Sequence, residues 1–350
     1  MNLPQAGLER RSGLSFVSMK CLHHEIIQRM KKISPKLWLP VLACLLSANL
    51  LAEDNTISQK EQDWFANPPA TVETRGDVPY LKPARAEKLD LYLPKNRPLG
   101  ILSPAVILIH GGAWTKGDKR QAREIEIGTT LAENGFVAAS VNYDLTPNGK
   151  YPANLKDCKN AVRFLRTNSK MYGVDPDKIA VLGGSAGGHL ALMVGYTGDD
   201  LSLAPQNPYP GVSDKVGAVV DMYGVSDIPN RKKTDAEGTP GELIGINELI
   251  QLMFGDAEAA KVASPINHIS SQTPPTIILQ GKKDKSVDRD QSISLHESLQ
   301  KAGVQTQIIL LEKAGHSFSF KYANAKNKKP LERDNGSDVI AFLKKALGVI

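Results

Sequence analysis

Four separate stretches of the chain hold groups that could do chemistry together. The first is Ile179-Ala180-Val181-Leu182-Gly183-Gly184-Ser185-Ala186-Gly187-Gly188-His189. An apolar, strand-like run enters G-x-S-x-G and leaves into helix-forming sequence, the pattern of a nucleophile elbow. So sharp a turn holds Ser185 in a strained backbone conformation, and Gly183 and Gly187 omit the side chains that would strike the adjoining strand and helix. The competing reading is a Gly-rich helix start that binds phosphate, but G-x-G-x-x-G spacing and a P-loop lysine are both missing.

The second stretch is Val106-Ile107-Leu108-Ile109-His110-Gly111-Gly112-Ala113-Trp114, a buried strand ending in an HGGG-type loop. Acyl transfer builds negative charge on a carbonyl oxygen, and backbone N–H groups fixed beforehand stabilise it by roughly 2.7 to 4 kcal/mol per donor. Gly112 and Ala113 are the expected donors, with Ala186 a third. His110 is expected to hold the loop rather than act as a base, and Trp114 to form a pocket wall.

A serine hydroxyl needs a histidine to take its proton and a carboxylate to orient that histidine. Of seven histidines, His316 lies in a loop just past the last strand-like run, where an imidazole can reach over strand ends. His189 is the chief rival, although it suits helix packing better. For the acid, Ile277-Ile278-Leu279-Gln280-Gly281-Lys282-Lys283-Asp284 puts a carboxylate just beyond another strand. Asp284 is favoured over Asp288 and Asp290 because of its position after Gly281.

These residues need a frame. Short apolar runs at Ala105 to Ile109, Val137 to Val141, Ile179 to Leu182, Ala218 to Met222, Thr276 to Leu279 and Gln307 to Leu311 read as fully buried strands. Lys88 to Leu93 alternates like a strand near a sheet edge. Helical stretches near Arg120 to Asn134, Leu155 to Met171, Gly187 to Gly195, Gln291 to Ala302 and Ser337 to Leu347 separate them, as crossovers between parallel strands require. The expected class is α/β, a mostly parallel twisted sheet with helices on both faces. Pro, Gly and charge break the rhythm near 197–212 and 228–264, which are expected as small cap elements over the site.

The chain has 350 residues with 41% hydrophobic and 23% charged residues, an ordinary globular composition. Residues 1–52 read as a leader, with Met30-Lys31-Lys32 and Lys36 preceding the apolar run Leu37 to Ala52. Translation is expected to start at Met30, with Met19 as a second candidate. Cleavage is expected near Ala52, with Ala48 the weaker site, and the product would be secreted or periplasmic. The apolar run is too short for a permanent membrane span, and Val41-Leu42-Ala43-Cys44 fits a lipoprotein box poorly. Residues 53–77 would be an N-terminal extension, and 78–350 the catalytic domain.

Removing the leader takes the formal charge from +6 to +1, leaving 36 basic against 35 acidic residues. A nearly neutral chain without a basic stripe argues against nucleic acid as a partner. The dense run Lys326 to Lys329 suits a solvated loop. Cys21 and Cys44 leave with the leader, so Cys158 stands alone and no internal disulfide can form.

Over residues 78 to 348 the chain resembles the α/β-hydrolase superfamily. Within it, the bacterial feruloyl-esterase-like and hormone-sensitive-lipase-like esterases are most similar. The likeness rests on His110 to Trp114 with Gly117-Asp118-Lys119, on Val141-Asn142-Tyr143, on Gly183 to His189, and on Gly281 to Asp284 followed by Gly315-His316. The order Ser185, Asp284, His316 is the order of that fold. The resemblance implies hydrolysis of carboxylic esters through an acyl-enzyme, without a cofactor or metal, often on acetyl or feruloyl groups of plant polysaccharides. Three departures stand out: Ala113 replaces a third Gly, Asp144 stands where such enzymes commonly have Arg, and Gly184 replaces the Asp of many hormone-sensitive-lipase-like enzymes. The last points to the feruloyl-esterase-like branch. A serine peptidase of the prolyl-oligopeptidase type and a non-catalytic binding protein of the same fold are the alternatives. Oligomeric state and acyl or alcohol preference are not legible.

Overall fold

The computed structural model describes residues 56–98 and 100–349. The leader expected over 1–52, with its Met30 start, its Ala52 cleavage site and its Cys21 and Cys44, lies outside the described residues.

Buried apolar segments must pair their backbone N–H and C=O groups. Here they pair into one eight-stranded sheet of order β1-β2-β4-β3-β5-β6-β9-β10. The strands are β1 Val72–Pro79, β2 Lys88–Pro94, β3 Ser103–Ile109, β4 Val137–Val141, β5 Val174–Gly184, β6 Ala218–Met222, β9 Thr276–Gly281 and β10 Thr306–Leu311. Within this sheet β2 runs against both of its neighbours, and the six strands from β4 to β10 in that order are parallel. Two hairpins lie outside the sheet: β7 Lys232–Thr234 with β8 Pro240–Leu243, and β11 Tyr322–Asn324 with β12 Lys329–Pro330. The fold is that of an α/β-hydrolase.

The helices are α1 Gln59–Ala66, α2 Ala122–Glu133, α3 Ala153–Thr167, α4 Ser169–Tyr172, α5 Ala186–Tyr196, α6 Glu248–Phe254, α7 Ala257–Val262, α8 Arg289–Lys301 and α9 Gly336–Ala346. Successive strand residues point to opposite faces, so the sheet builds two cores. Ile107, Ile109 and Val181 pack with Leu155 of α3, Leu190 of α5 and Leu295 of α8. Val106, Leu108 and Leu182 pack with Ile125 of α2 and Leu343 of α9.

Two elements gave little apolar signal. β1 reads Val-Glu-Thr-Arg-Gly-Asp-Val-Pro, an edge strand with a largely exposed pattern. α1 is held by a Ser58–Glu61 capping box, and Glu61 Oε1 also accepts from the Ala122 N–H at 3.0 Å, tying α1 to the start of α2. β5 begins at Val174 rather than Ile179 because Val174 lies opposite Ser103, ahead of a register shift that passes over the polar residues 175–178.

Candidate active site

Parallel strands place their C-terminal ends along one edge, and the loops leaving β3, β5, β9 and β10 converge there. β5 runs into Ser185, whose φ of 57° and ψ of −124° lie in a region that non-glycine residues avoid. Such strain amounts to about 1–3 kcal/mol and persists only where the surroundings enforce it. They do so here: the Ser185 N–H donates to Met222 O at 3.0 Å, and a Cβ on Gly187 would lie 2.1 Å from Ile109 O.

The hydroxyl projects toward His316, with Ser185 Oγ 2.9 Å from Nε2. On the other side of the ring, Nδ1 lies 2.7 Å from Asp284 Oδ2. A carboxylate only accepts, so Nδ1 carries the proton and Nε2 is left to accept from Ser185. Asp284 is itself fixed, its Oδ1 accepting from the N–H groups of Ser286 at 2.8 Å and Val287 at 2.9 Å. The acid and histidine loops are stitched together where the Lys283 N–H donates to Ala314 O at 3.0 Å. The Asp284 side chain is fully buried and that of His316 is 18% exposed, so the imidazole faces the opening while its partner is sealed off.

Ser185 opens onto a cavity of about 470 Å³ whose walls include Gly112, Ala113, Trp114, Ala186 and His316. Ala186 is the first residue of α5, so its N–H has no acceptor within the helix. Ala113 and Trp114 take φ of 53° and 60°. The position often filled by a third Gly therefore does require a left-handed backbone, and Ala113 adopts it while keeping its N–H.

The other candidates lie elsewhere. His189 is fully buried on α5, with Nε2 bonded to Ala263 O at 2.8 Å and Nδ1 accepting from Trp114 Nε1 at 3.3 Å. Burial pulls its pKa down to about 4, and it props the indole that closes one wall. His110 stacks on Tyr143 at 4.5 Å, and its Nδ1 donates to Gly111 O at 2.7 Å. Burial also lowers its pKa to about 4. Asp288 Oδ2 accepts from the Lys232 N–H at 2.8 Å, and Asp290 pairs with Lys232 Nζ at 2.7 Å. Both carboxylates hold the β7–β8 hairpin. Asp144 gives its N–H to Asp157 Oδ2 at 3.0 Å, beside Arg85. Cys158 is buried on α3.

Asn142 bonds Asp118 Oδ2 through Nδ2 at 2.7 Å and accepts from the Lys119 N–H at 2.6 Å. This latch joins the end of β4 to the segment that follows the Gly112 loop.

Several cavity residues had no sequence signal. Tyr223 sits edge-on to the His316 ring at 4.8 Å and donates its hydroxyl to Phe318 O at 2.8 Å. Its place directly after β6 could have suggested it. Arg123 and Glu124, paired at the start of α2, and Arg231 and Leu249 of the second expected cap segment also line the cavity. None of the lining comes from 197–212. That segment is tied instead to α3, Pro205 O accepting from Arg163 Nη1 at 2.6 Å and Asn207 O from Asn160 Nδ2 at 2.9 Å.

Among the described residues, no group of three or more His, Cys, Asp or Glu is placed to hold a metal ion, and no helix is long and apolar enough to cross a membrane.

A family model described as BD-FAE matches residues 89–299, more than half of the chain. Esterase LipQ of Mycobacterium tuberculosis is 32% identical over 246 residues, covering 69% of this chain and 56% of the relative. The chain spans about half the length of the curated relatives it matches. Among solved structures, a truncated carbohydrate esterase from gut microbiota aligns with a TM-score of 0.66 at 25% identity, covering 80% of this chain and 99% of that one. A thermophilic esterase of Thermogutta terrifontis with butyrate bound aligns with a TM-score of 0.63 at 26% identity, covering 80% and 96%.

Proposed function

The chain belongs to the BD-FAE family of α/β-hydrolase esterases, and from that premise we propose that it is a serine carboxylesterase working through an acyl-enzyme. The observation that carries this reading is the continuous row Asp284, His316, Ser185, with contacts of 2.7 and 2.9 Å.

His316 Nε2 takes the Ser185 proton as Oγ attacks the ester carbonyl, and Asp284 steadies the resulting imidazolium. Negative charge gathers on the carbonyl oxygen, where the N–H groups of Gly112, Ala113 and Ala186 receive it. Collapse of this intermediate expels the alcohol, protonated by His316. Water then enters, gives its proton to His316 and releases the acid, restoring Ser185. Tyr223 confines the imidazole ring to the plane these transfers need. The esterase relatives and the carbohydrate-esterase neighbour support acetyl or feruloyl groups on a polysaccharide as the substrate class. The basic-then-apolar leader supports export, with cleavage near Ala52.

The test is hydrolysis of 4-nitrophenyl acetate, followed by acetylated xylan. Ser185→Ala should lower kcat by on the order of 10⁴-fold or more with an unchanged melting temperature. Full turnover by that variant would overturn the mechanism, and preferential cleavage of peptides would move the protein to the peptidases.

A further inference from the structure

The cavity is lined by a cation that makes no contact ion pair among the described residues. Arg123 is paired with Glu124. Arg231, between β6 and the β7–β8 hairpin, has no carboxylate within ion-pair distance among the described residues. Its Nη2 donates to a backbone oxygen, Ser286 O at 3.2 Å, and its Nε is sequestered from solvent without a partner. Desolvation by its surroundings weighs against its charge, opposed by Asp288 at longer range, whose Oδ2 accepts from the Lys232 N–H while its Oδ1 is buried without a hydrogen-bond partner.

A half-buried guanidinium with no carboxylate in contact is an expensive arrangement unless a bound anion completes it. Its placement is also fixed. Ser286, which accepts from Arg231, donates its own N–H to Asp284 at 2.8 Å, so the guanidinium is anchored to the same turn that orients His316. On the other side, Lys232 is fastened to Asp288 and Asp290, and the N–H groups of Ser226 and Asp227 both donate to Gln291 Oε1. Residues on either side of Arg231 are thus pinned to the loop before α8 and its first turn. A planar fork held this way matches a carboxylate, which accepts two parallel N–H donors.

We propose that Arg231 forms a subsite for a carboxylate on the ester substrate, so that the enzyme prefers esters bearing a negative charge beside the scissile bond. The inference rests on the esterase reading above. The charge can sit on the alcohol side, as in a uronate-bearing glycan, or on the acyl side, as in a dicarboxylic half-ester, and the two sources are separable.

Two matched pairs test it. On the alcohol side, 4-acetoxybenzoate is compared with 4-methylphenyl acetate. On the acyl side, the mono-4-nitrophenyl ester of adipic acid is compared with 4-nitrophenyl hexanoate. In at least one pair the anionic ester should have the higher kcat/KM, relative to its uncatalysed hydrolysis, by about tenfold or more. R231Q should collapse that ratio toward one, and R231K should retain part of it, as a point charge without the fork. In parallel, benzoate and adipate are titrated into Ser185→Ala, with binding expected and lost on adding R231Q. A preference for the neutral ester in both pairs, or an R231Q ratio equal to the parent's, overturns the subsite. Binding of the free anions that disappears with R231Q, alongside no ester turnover by the parent, sinks the esterase reading and leaves the anion site standing.

Discussion

At the scale of single residues, the space around Ser185 is allotted so tightly that its neighbours are chosen by exclusion. Gly184 is the clearest case. A Cβ there would stand 2.6 Å from Arg123 Nη2 and 2.9 Å from Tyr223 Oη. The carboxylate that many hormone-sensitive-lipase-like sequences carry at this position is therefore replaced by a guanidinium arriving from α2. Gly184→Ala should lower stability by about 1–3 kcal/mol, the usual effect of forcing extra volume into a packed site. It should also depress kcat/KM, because displacing Arg123 disturbs Tyr223 and hence the His316 ring. Urea denaturation and aryl-ester kinetics check both, and unchanged values would show that Arg123 yields freely. The same residues mark how far the site was legible. Ser185, Asp284 and His316 each lie within five residues of the end of an apolar run, so position along the chain revealed them. Arg123 and Arg231 reach the cavity from a helix start and a cap turn, and no local spacing records where those elements dock.

At the scale of elements, most strands that could be read in advance were those buried on both faces, whose apolar runs leave no alternative. β10, read as fully buried, is instead a partly exposed edge strand, and β2, read as near an edge, is buried between β1 and β4. β1 pairs at the edge with charged residues toward solvent, and β7 and β8 are three and four residues long, too short for any periodicity. Cap segments differ again, because side-chain electrostatics rather than pattern holds them. Asp214 accepts from the buried Lys159 Nζ at 2.9 Å, from the buried Arg163 Nη2 at 2.6 Å and from the Asp199 N–H at 2.9 Å. It fastens the 197–214 segment onto α3. Asp214→Asn would leave two buried cations without their carboxylate, a change that typically removes on the order of 3–5 kcal/mol. The expected signs are a lower urea midpoint and faster proteolysis within 197–214. Since 197–212 does not line the cavity, KM for small esters should move little. A large rise in KM with normal stability would instead place the segment over the site.

At the scale of the whole molecule, one buried acid outside the Ser185–His316–Asp284 row links stability to pH. Asp221 on β6 is fully buried behind α5, with Oδ1 accepting from the Gly224 N–H at 3.0 Å and Oδ2 left without a partner. Burial pushes its pKa up to about 7 against the pull of that single N–H bond, whereas in the unfolded chain it returns to about 3.9. The folded state therefore holds a proton that the unfolded state has released. Stability from this group is complete below about pH 4 and is lost as pH rises through about 7. Between pH 5 and pH 8 the loss is on the order of 2 kcal/mol by the linkage relation. Asp221→Asn keeps an oxygen for the Gly224 N–H and removes the titration. The difference in unfolding free energy between parent and variant should therefore shift in the variant's favour from pH 5 to pH 8. A difference that stays constant across that range would mean that Asp221 is ionised in the folded protein throughout, with its charge answered by a neighbour of Oδ2.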